Sequence, residues 1–194
     1  MQTILYYDYL LFQLINGTWH HPFFDAIIPL WRDEFFWMPL YLFFILFVCL
    51  NYRKQAPYIL LFAVITIVLC DQTASSLIKP FFARLRPCRE SFFSETLHLL
   101  VPCGSGKSFV SAHATNHFGI ATYVWLIFRH DFKWLLPVAF FWAASIAYGQ
   151  VYVGVHYPSD VICGGILGIL IGAWTGYWVK QLAKYESNNS PVVQ

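Results

Sequence analysis

Charge is what this chain has least of. Only 11% of its 194 residues are Asp, Glu, Lys or Arg, against about a quarter in an ordinary soluble domain. Such a deficit argues against a water-soluble globular protein. A cleavable leader of the usual form is also missing. The opening "MQTILYYDYLLFQLING" has no Lys or Arg before its apolar part and no small-residue cleavage site, so the first spanning helices are expected to direct insertion themselves. Cysteines are few: Cys49, Cys70 and Cys163 fall in apolar segments and read as small core residues. Cys88 and Cys103 bracket the longest polar loop and would be free to pair if that loop faces an oxidising compartment.

What the chain does contain is apolar and aromatic. It is 58% hydrophobic, with 19 Phe, 12 Tyr and 8 Trp, and Trp and Tyr are enriched where helices cross the membrane–water interface. The composition implies an all-α polytopic membrane bundle in a single domain spanning 1–194. Residues 1–34 read as interfacial segments, 35–180 as the bundle and 181–194 as a polar tail expected to be disordered. Ile4 to Ile15 is too short to cross a hydrocarbon core about 30 Å thick, and Asn16-Gly17 ends it. Pro22 to Trp31 is a second short, aromatic-flanked segment. Five spans are expected after it: Phe35–Leu50, Tyr58–Ile78, Phe109–Phe128, Trp134–Tyr148 and Val161–Val179. The glycines of "GGILGILIGAWTG" in the last span suit close helix packing in lipid.

Five spans sort the cations onto two sides. Arg53, Lys54, Arg129, Lys133, Lys180 and Lys184 fall on one side, and Arg32, Lys79, Arg84, Arg86, Arg89 and Lys107 on the other. The count is tied, so it does not orient the protein. One side holds its charge in short turns, the usual cytoplasmic pattern. The other crowds five cations between Lys79 and Lys107, on the same face as "GQVYVGVHYPSD". The catalytic face is therefore expected outside the cytoplasm, where Cys88 and Cys103 would meet oxidising conditions.

Three polar pieces converge on that face: "KPFFARLRP", "FVSAHATNH" and "GQVYVGVHYPSD". Their chemistry suits a phosphate. Lys79, Arg84 and Arg86 supply charge and fork-shaped donors. Ser111 and the backbone amides opening the next span, at Ala112, add donors where a helix dipole favours an anion. A neutral His156 would attack phosphorus, with Asp160 holding the far ring nitrogen. His113 would protonate the leaving oxygen. No step requires a metal, and no cofactor or nucleic-acid partner is expected. The expected partners are the bilayer and a phosphate-bearing substrate.

These motifs resemble the type 2 phosphatidic acid phosphatase (PAP2) superfamily of membrane lipid phosphatases. Lys79, Arg86 and Pro87 match its Lys-x6-Arg-Pro. Ser111 and His113 match its Pro-Ser-Gly-His, with Val110 and Ala112 replacing Pro and Gly. His156 and Asp160 match its Ser-Arg-x5-His-x3-Asp. The resemblance implies a helical bundle, a phosphohistidine on His156, Asp160 as its partner, His113 as acid and then base, and a phosphoryl group bound by Lys79, Arg86, Ser111 and position 150. The departure with consequence is Gly149-Gln150 in place of Ser-Arg. Glutamine donates hydrogen bonds without charge, and the lost cation would cost several kcal/mol of transition-state stabilisation. Arg84 swinging in, a weakened site and an altered specificity are the readings of that change.

Other readings stay in view. Asp71 lies inside an expected span, where a carboxylate is costly, and Gln72, Ser75, Ser76 and Lys79 share its face as a polar network. His113 and His117 at i, i+4 suggest a zinc hydrolase using them with His156, but no Glu stands between them as His-Glu-x-x-His requires. Polyprenyl diphosphate, phosphatidylglycerol phosphate, phosphatidate and lipid A phosphate are all plausible substrates. Transfer of the phosphoryl group to a lipid acceptor, or a non-catalytic phospholipid-binding role, are the alternatives.

Overall fold

Proline and polar caps punctuate the helices. A computed structural model describes residues 2–189, with side chains over residues 5–182. The described residues contain no strand. Helix α1, Gln2–Phe12, runs into a wide π-turn at Gln13–Thr18. Helix α2, Pro22–Trp31, has proline at its first position and His21 as its cap, where the side chain accepts a bond from the Phe23 amide at 3.2 Å. A short 3-10 turn leads into α3, Met38–Asn51. Helix α4, Ala56–Gln72, passes through a second π-turn into the single turn α5, Lys79–Phe82. The central α6, Ala112–Phe128, then α7, Leu135–Tyr152, and α8, Pro158–Asn189, complete the bundle.

The helices long and apolar enough to cross a membrane are Ala56–Phe82, Leu135–Tyr152 and Pro158–Leu182. Pro22–Trp31 and Phe35–Asn51 pass that test only as a pair, and the pair is bent by 74°. Three to four spans thus meet the length criterion, where the sequence suggested five. The difference lies mainly in α6, which starts at Ala112 and not at Phe109. Ser111 caps it, accepting from the Ala114 amide at 3.4 Å, and the Ser111 amide is bonded to the Asp160 carbonyl at 3.0 Å. The resulting helix has 17 residues and carries His113, Asn116 and His117 in its first turns. At the other end α8 runs past Lys180 to Asn189, because no Gly or Pro interrupts Gln181 to Asn189. Residues 190–194 of the expected polar tail lie outside the described residues.

Helix α6 sits inside the bundle, against α8, α7 and α4. Its contact with α8 is backbone on backbone. A Cβ placed on Gly164 would lie 2.6 Å from the Ser111 carbonyl oxygen, on Gly168 2.2 Å from that of Thr115, and on Gly172 2.2 Å from that of Gly119. Three glycines at four-residue spacing thus form one stripe against which α6 lies, the close approach small residues permit where lipid supplies no hydrophobic drive between helices. Elsewhere the helices are tied by polar bonds: Thr66 to Thr175 at 2.7 Å, and the Tyr123 hydroxyl to the Ile59 carbonyl at 2.6 Å. Asp71 accepts from Ser75 at 3.3 Å and Gln72 from Ser76 at 2.9 Å, so this part of the α4 face bonds within its own helix.

A methyl group at Gly172 should force α6 and α8 apart, whereas Gly106, with nothing within 4 Å, has room for one. Gly172→Ala is expected to lower the melting temperature in detergent by several degrees and Gly106→Ala to leave it unchanged, as read by tryptophan fluorescence.

Candidate active site

Five chain segments bring polar groups to one end of the bundle: the end of α2, the turn α5 with the loop after it, the start of α6, the end of α7 and the start of α8. The loop between α7 and α8 carries His156. Its backbone folds over the end of α7, the amides of Val155 and His156 both donating to the Gln150 carbonyl at 3.2 Å. Pro158 then restarts the helix, and Asp160 falls in the first turn of α8.

Asp160 is fully buried, and its oxygens are shared among four residues. One oxygen accepts from Arg84 at 2.8 Å. The other accepts from the Ser108 hydroxyl and from the Tyr157 amide at 2.9 Å, and lies 3.5 Å from His156 Nδ1. The carboxylate therefore faces the Nδ1 side of the ring and leaves Nε2 for chemistry. His156 is 1% exposed. Burial pushes its pKa down to about 4; Asp160 opposes that drop, while the charges of Arg86 and Lys79 add to it. The imidazole is neutral at physiological pH.

Arg84 lies beneath this pair. Its two terminal nitrogens reach Asp160 at 2.8 Å and Asp8 at 2.6 Å; the first also donates to Ser159 at 2.8 Å, and the guanidinium stacks 3.8 Å above the Tyr157 ring. Burial would lower its pKa, but Asp160 and Asp8 outweigh that and raise it. Both ends of the guanidinium are thus held by carboxylates. The chain reaches this position because Ala83 adopts a left-handed conformation, φ 51°, which ends α5 and reverses the backbone.

Arg86 is bonded more loosely, its Nε to the Gly106 carbonyl at 3.1 Å and one terminal nitrogen to the Val155 carbonyl at 3.4 Å. Burial and then Arg89 lower its pKa, while Asp160 raises it. Ser111 is buried at the cap of α6, and His113 follows Ala112 one residue into the helix. The His113 and His117 rings lie parallel, 6.3 Å apart. The Nδ1 of His117 faces the His113 carbonyl at 2.7 Å and its ring packs on Trp142, so its position is explained by contacts within α6 and to α7. Lys79 and Arg86 both act electrostatically on His156. Gln150 is completely buried, and neither atom of its amide has a hydrogen-bond partner.

Sequence reading misses two residues here. Ser108 lies in a Gly/Ser loop without helical pattern, although the stretch "GSGKS" marks a loop built for close backbone approach. Asp8 lies in the N-terminal interfacial segment, outside every motif. Cys88 and Cys103 are joined as a disulfide in the loop beside Arg86.

A second polar cluster lies to one side. The His20, Asp25 and His98 ligand atoms all lie within 4.8 Å of one another. The two rings are stacked face to face at 4.5 Å, and Asp25 already accepts from Tyr152 at 2.6 Å and meets His98 at 3.2 Å. Parallel rings aim their lone pairs side by side, not at a common point, so the cluster reads as a tie between α2, α7 and the long loop.

Comparison with known proteins agrees with the geometry. The PAP2 superfamily model matches residues 56–184. Lipid A 4'-phosphatase of Bacteroides thetaiotaomicron is 31% identical over 93% of this chain and 81% of its own length. Undecaprenyl-diphosphatase of Sulfolobus acidocaldarius is 31% identical over 82% of this chain and 67% of its own. The crystal structure of LpxE from Aquifex aeolicus superposes with a TM-score of 0.64 at 28% identity, over 85% of this chain and 92% of that one. A PAP2-type phosphatidylglycerolphosphate phosphatase from Bacillus subtilis shares the fold, with a TM-score of 0.70 at 20% identity over 95% and 88%.

Two outcomes follow from this arrangement. Asp8→Asn removes one of the two charges holding Arg84 and should lower kcat about tenfold, ~1.4 kcal/mol, with little change in KM, in a steady-state phosphate-release assay. Second, the unfolded chain protonates its histidine near 6.5 whereas the folded His156 resists until about 4. Stability therefore rises with pH across that window and the contribution is complete above 6.5. Between pH 6.5 and 4 the melting temperature of the unmodified protein should fall further than that of His156→Gln.

Proposed function

The chain belongs to the PAP2 superfamily, and we propose that it is a membrane lipid phosphatase that works through a phosphohistidine on His156. The observation that carries this reading is the buried, neutral His156 with its Nδ1 side facing a carboxylate that Ser108, Tyr157 and Arg84 hold in place. A histidine kept only as a polar anchor would need none of those supports.

In this reading the phosphoryl oxygens lie among Lys79, Arg86, the Ser111 hydroxyl and the amides opening α6, including that of Ala112, with Gln150 adding an uncharged donor. Nε2 of His156 attacks phosphorus and the bond to the lipid oxygen breaks. His113 takes up a proton as the phosphate dianion enters beside it and gives that proton to the leaving oxygen. Asp160 stabilises the charge developing on the ring, and Arg84 keeps Asp160 ionised and aligned. Water then attacks the phosphohistidine and returns a proton to His113, and phosphate leaves. These groups account for each bond and proton in the cycle.

The lipid part has a place beside this site. An apolar groove of about 410 Å³ runs between α7 and α8, lined by Ala147, Val151, Pro158, Val161, Ile162 and Gly165 among others. Val151 and Val161 each stand one residue from Gln150 and Asp160. An acyl or prenyl chain in that groove would bring its head to His156. The relatives named for lipid A 4'-phosphatase activity match this chain over most of their length, so a 4'-phosphorylated lipid A disaccharide is the first substrate to test and polyprenyl diphosphate the second. The Cys88–Cys103 disulfide beside Arg86 supports an extracytoplasmic face, where disulfides persist, and hence the outer leaflet of a cytoplasmic membrane.

The test is phosphate release from a panel of both lipids, phosphatidylglycerol phosphate and phosphatidate, by the unmodified protein and by His156→Ala. Release from at least one lipid, lowered more than a thousandfold by the substitution and blocked by orthovanadate, is expected. Equal rates for the two proteins on every lipid would sink the reading.

A further inference from the structure

The departures at positions 149 and 150 have a common explanation in α2. Gly149 is where the family pattern has serine, and it is against this glycine that Arg32 packs. A Cβ added at Gly149 would lie 3.4 Å from Arg32 Cβ, at the near edge of van der Waals contact, and 3.2 Å from Ile28, tighter than that. The missing side chain lets the last turn of α2 press on α7. Trp31, one residue earlier, fixes that contact by donating from its indole to Ser145 of α7 at 2.8 Å.

The Arg32 Nε is buried without a hydrogen-bond partner, and the side chain forms no hydrogen bond or ion pair among the described residues. The neighbouring Asp33 spends one carboxylate oxygen on the Phe35 amide at 2.8 Å, capping the next turn. Burial lowers the Arg32 pKa, Asp33 opposes, and the like charge of Arg86 lowers it further. Its charge also reaches His113. Arg32 thus acts electrostatically on both Arg86 and His113, and a phosphate dianion would relieve the repulsion between the two guanidinium groups. Gln150, uncharged and with both amide atoms unpaired, adds no third cation to that crowd.

We propose that Arg32 supplies from α2 the phosphate-binding cation that position 150 lacks, the exchange of Ser-Arg for Gly149-Gln150 making room for its side chain and its charge. The inference rests on the lipid-phosphatase reading and sharpens it: the N-terminal segment completes the catalytic site, and Arg32 is a residue that touches the substrate phosphate.

The experiment uses the full chain in detergent with lipid phosphate substrate and, separately, orthovanadate as a phosphate mimic. Arg32→Ala should lower kcat/KM at least a hundredfold and abolish the vanadate-induced rise in melting temperature, while its own melting temperature without vanadate stays within a few degrees. Arg32→Lys should recover only part, because an ammonium lacks the planar fork. Gln150→Arg alone should give no gain, since the cation is already present. Gln150→Arg added to Arg32→Ala should recover at least tenfold. An Arg32→Ala protein within threefold of the unmodified one, with its vanadate response intact, would overturn the proposal. So would a gain from Gln150→Arg in the unmodified background equal to that in Arg32→Ala. If the unmodified protein releases no more phosphate than His156→Ala, the phosphatase reading fails; the vanadate shift then still decides whether Arg32 binds the oxyanion.

Discussion

A carboxylate with no exposure to solvent must have every lone pair answered, and Asp160 meets that requirement by drawing four chain segments together. Ser108 comes from the long loop, Arg84 from the turn after α5, Tyr157 from the loop before α8, and the Asp160 carbonyl takes the amide of Ser111 at the cap of α6. Remove the carboxylate and Arg84 keeps Asp8 as its one carboxylate partner, Ser108 loses its short hydrogen bond and His156 loses the group that orients its ring. The site is therefore one connected network and not a set of independent residues.

That network is only as exact as the helices that carry it. The stripe Gly164, Gly168 and Gly172 sets α8 directly on the backbone of α6, which fixes the distance between the loop bearing His156 and the Ser111 cap of α6. The same economy recurs at Gly149, where an absent side chain admits α2. In both places a helix approaches a functional element because the sequence has nothing there. Packing and polar bonding are coupled through small residues, and the N-terminal segment reaches the His156 network in space through Asp8, though remote from it in the chain.

Much of this was legible beforehand. Composition alone pointed to a helical membrane protein, and the spaced motifs around Lys79, Ser111 and His156 pointed to one face and to phosphate chemistry. The glycine pattern in α8 was readable as a packing stripe because its period matches a helix turn. The span boundaries were less legible. Hydropathy saw an apolar run from Phe109, whereas the cap formed by Ser111 and the Asp160 carbonyl starts α6 three residues later. Arg84 was read as a phosphate contact and a stand-in for the missing arginine; spacing could not reveal that Asp8 and Asp160 hold both of its terminal nitrogens.

What the sequence by itself determined is the list of chemically competent groups and their order along the chain, because residue type sets charge and donor geometry, and helical period sets which near neighbours share a face. It had no access to partners far apart in the chain. Whether a cation is free for substrate or tied to a carboxylate, whether a histidine is neutral, and which arginine stands near an uncharged glutamine all depend on burial and on distances across the bundle. Those were decided by the tertiary structure, which set α2 against Gly149 and closed the loop over Asp160.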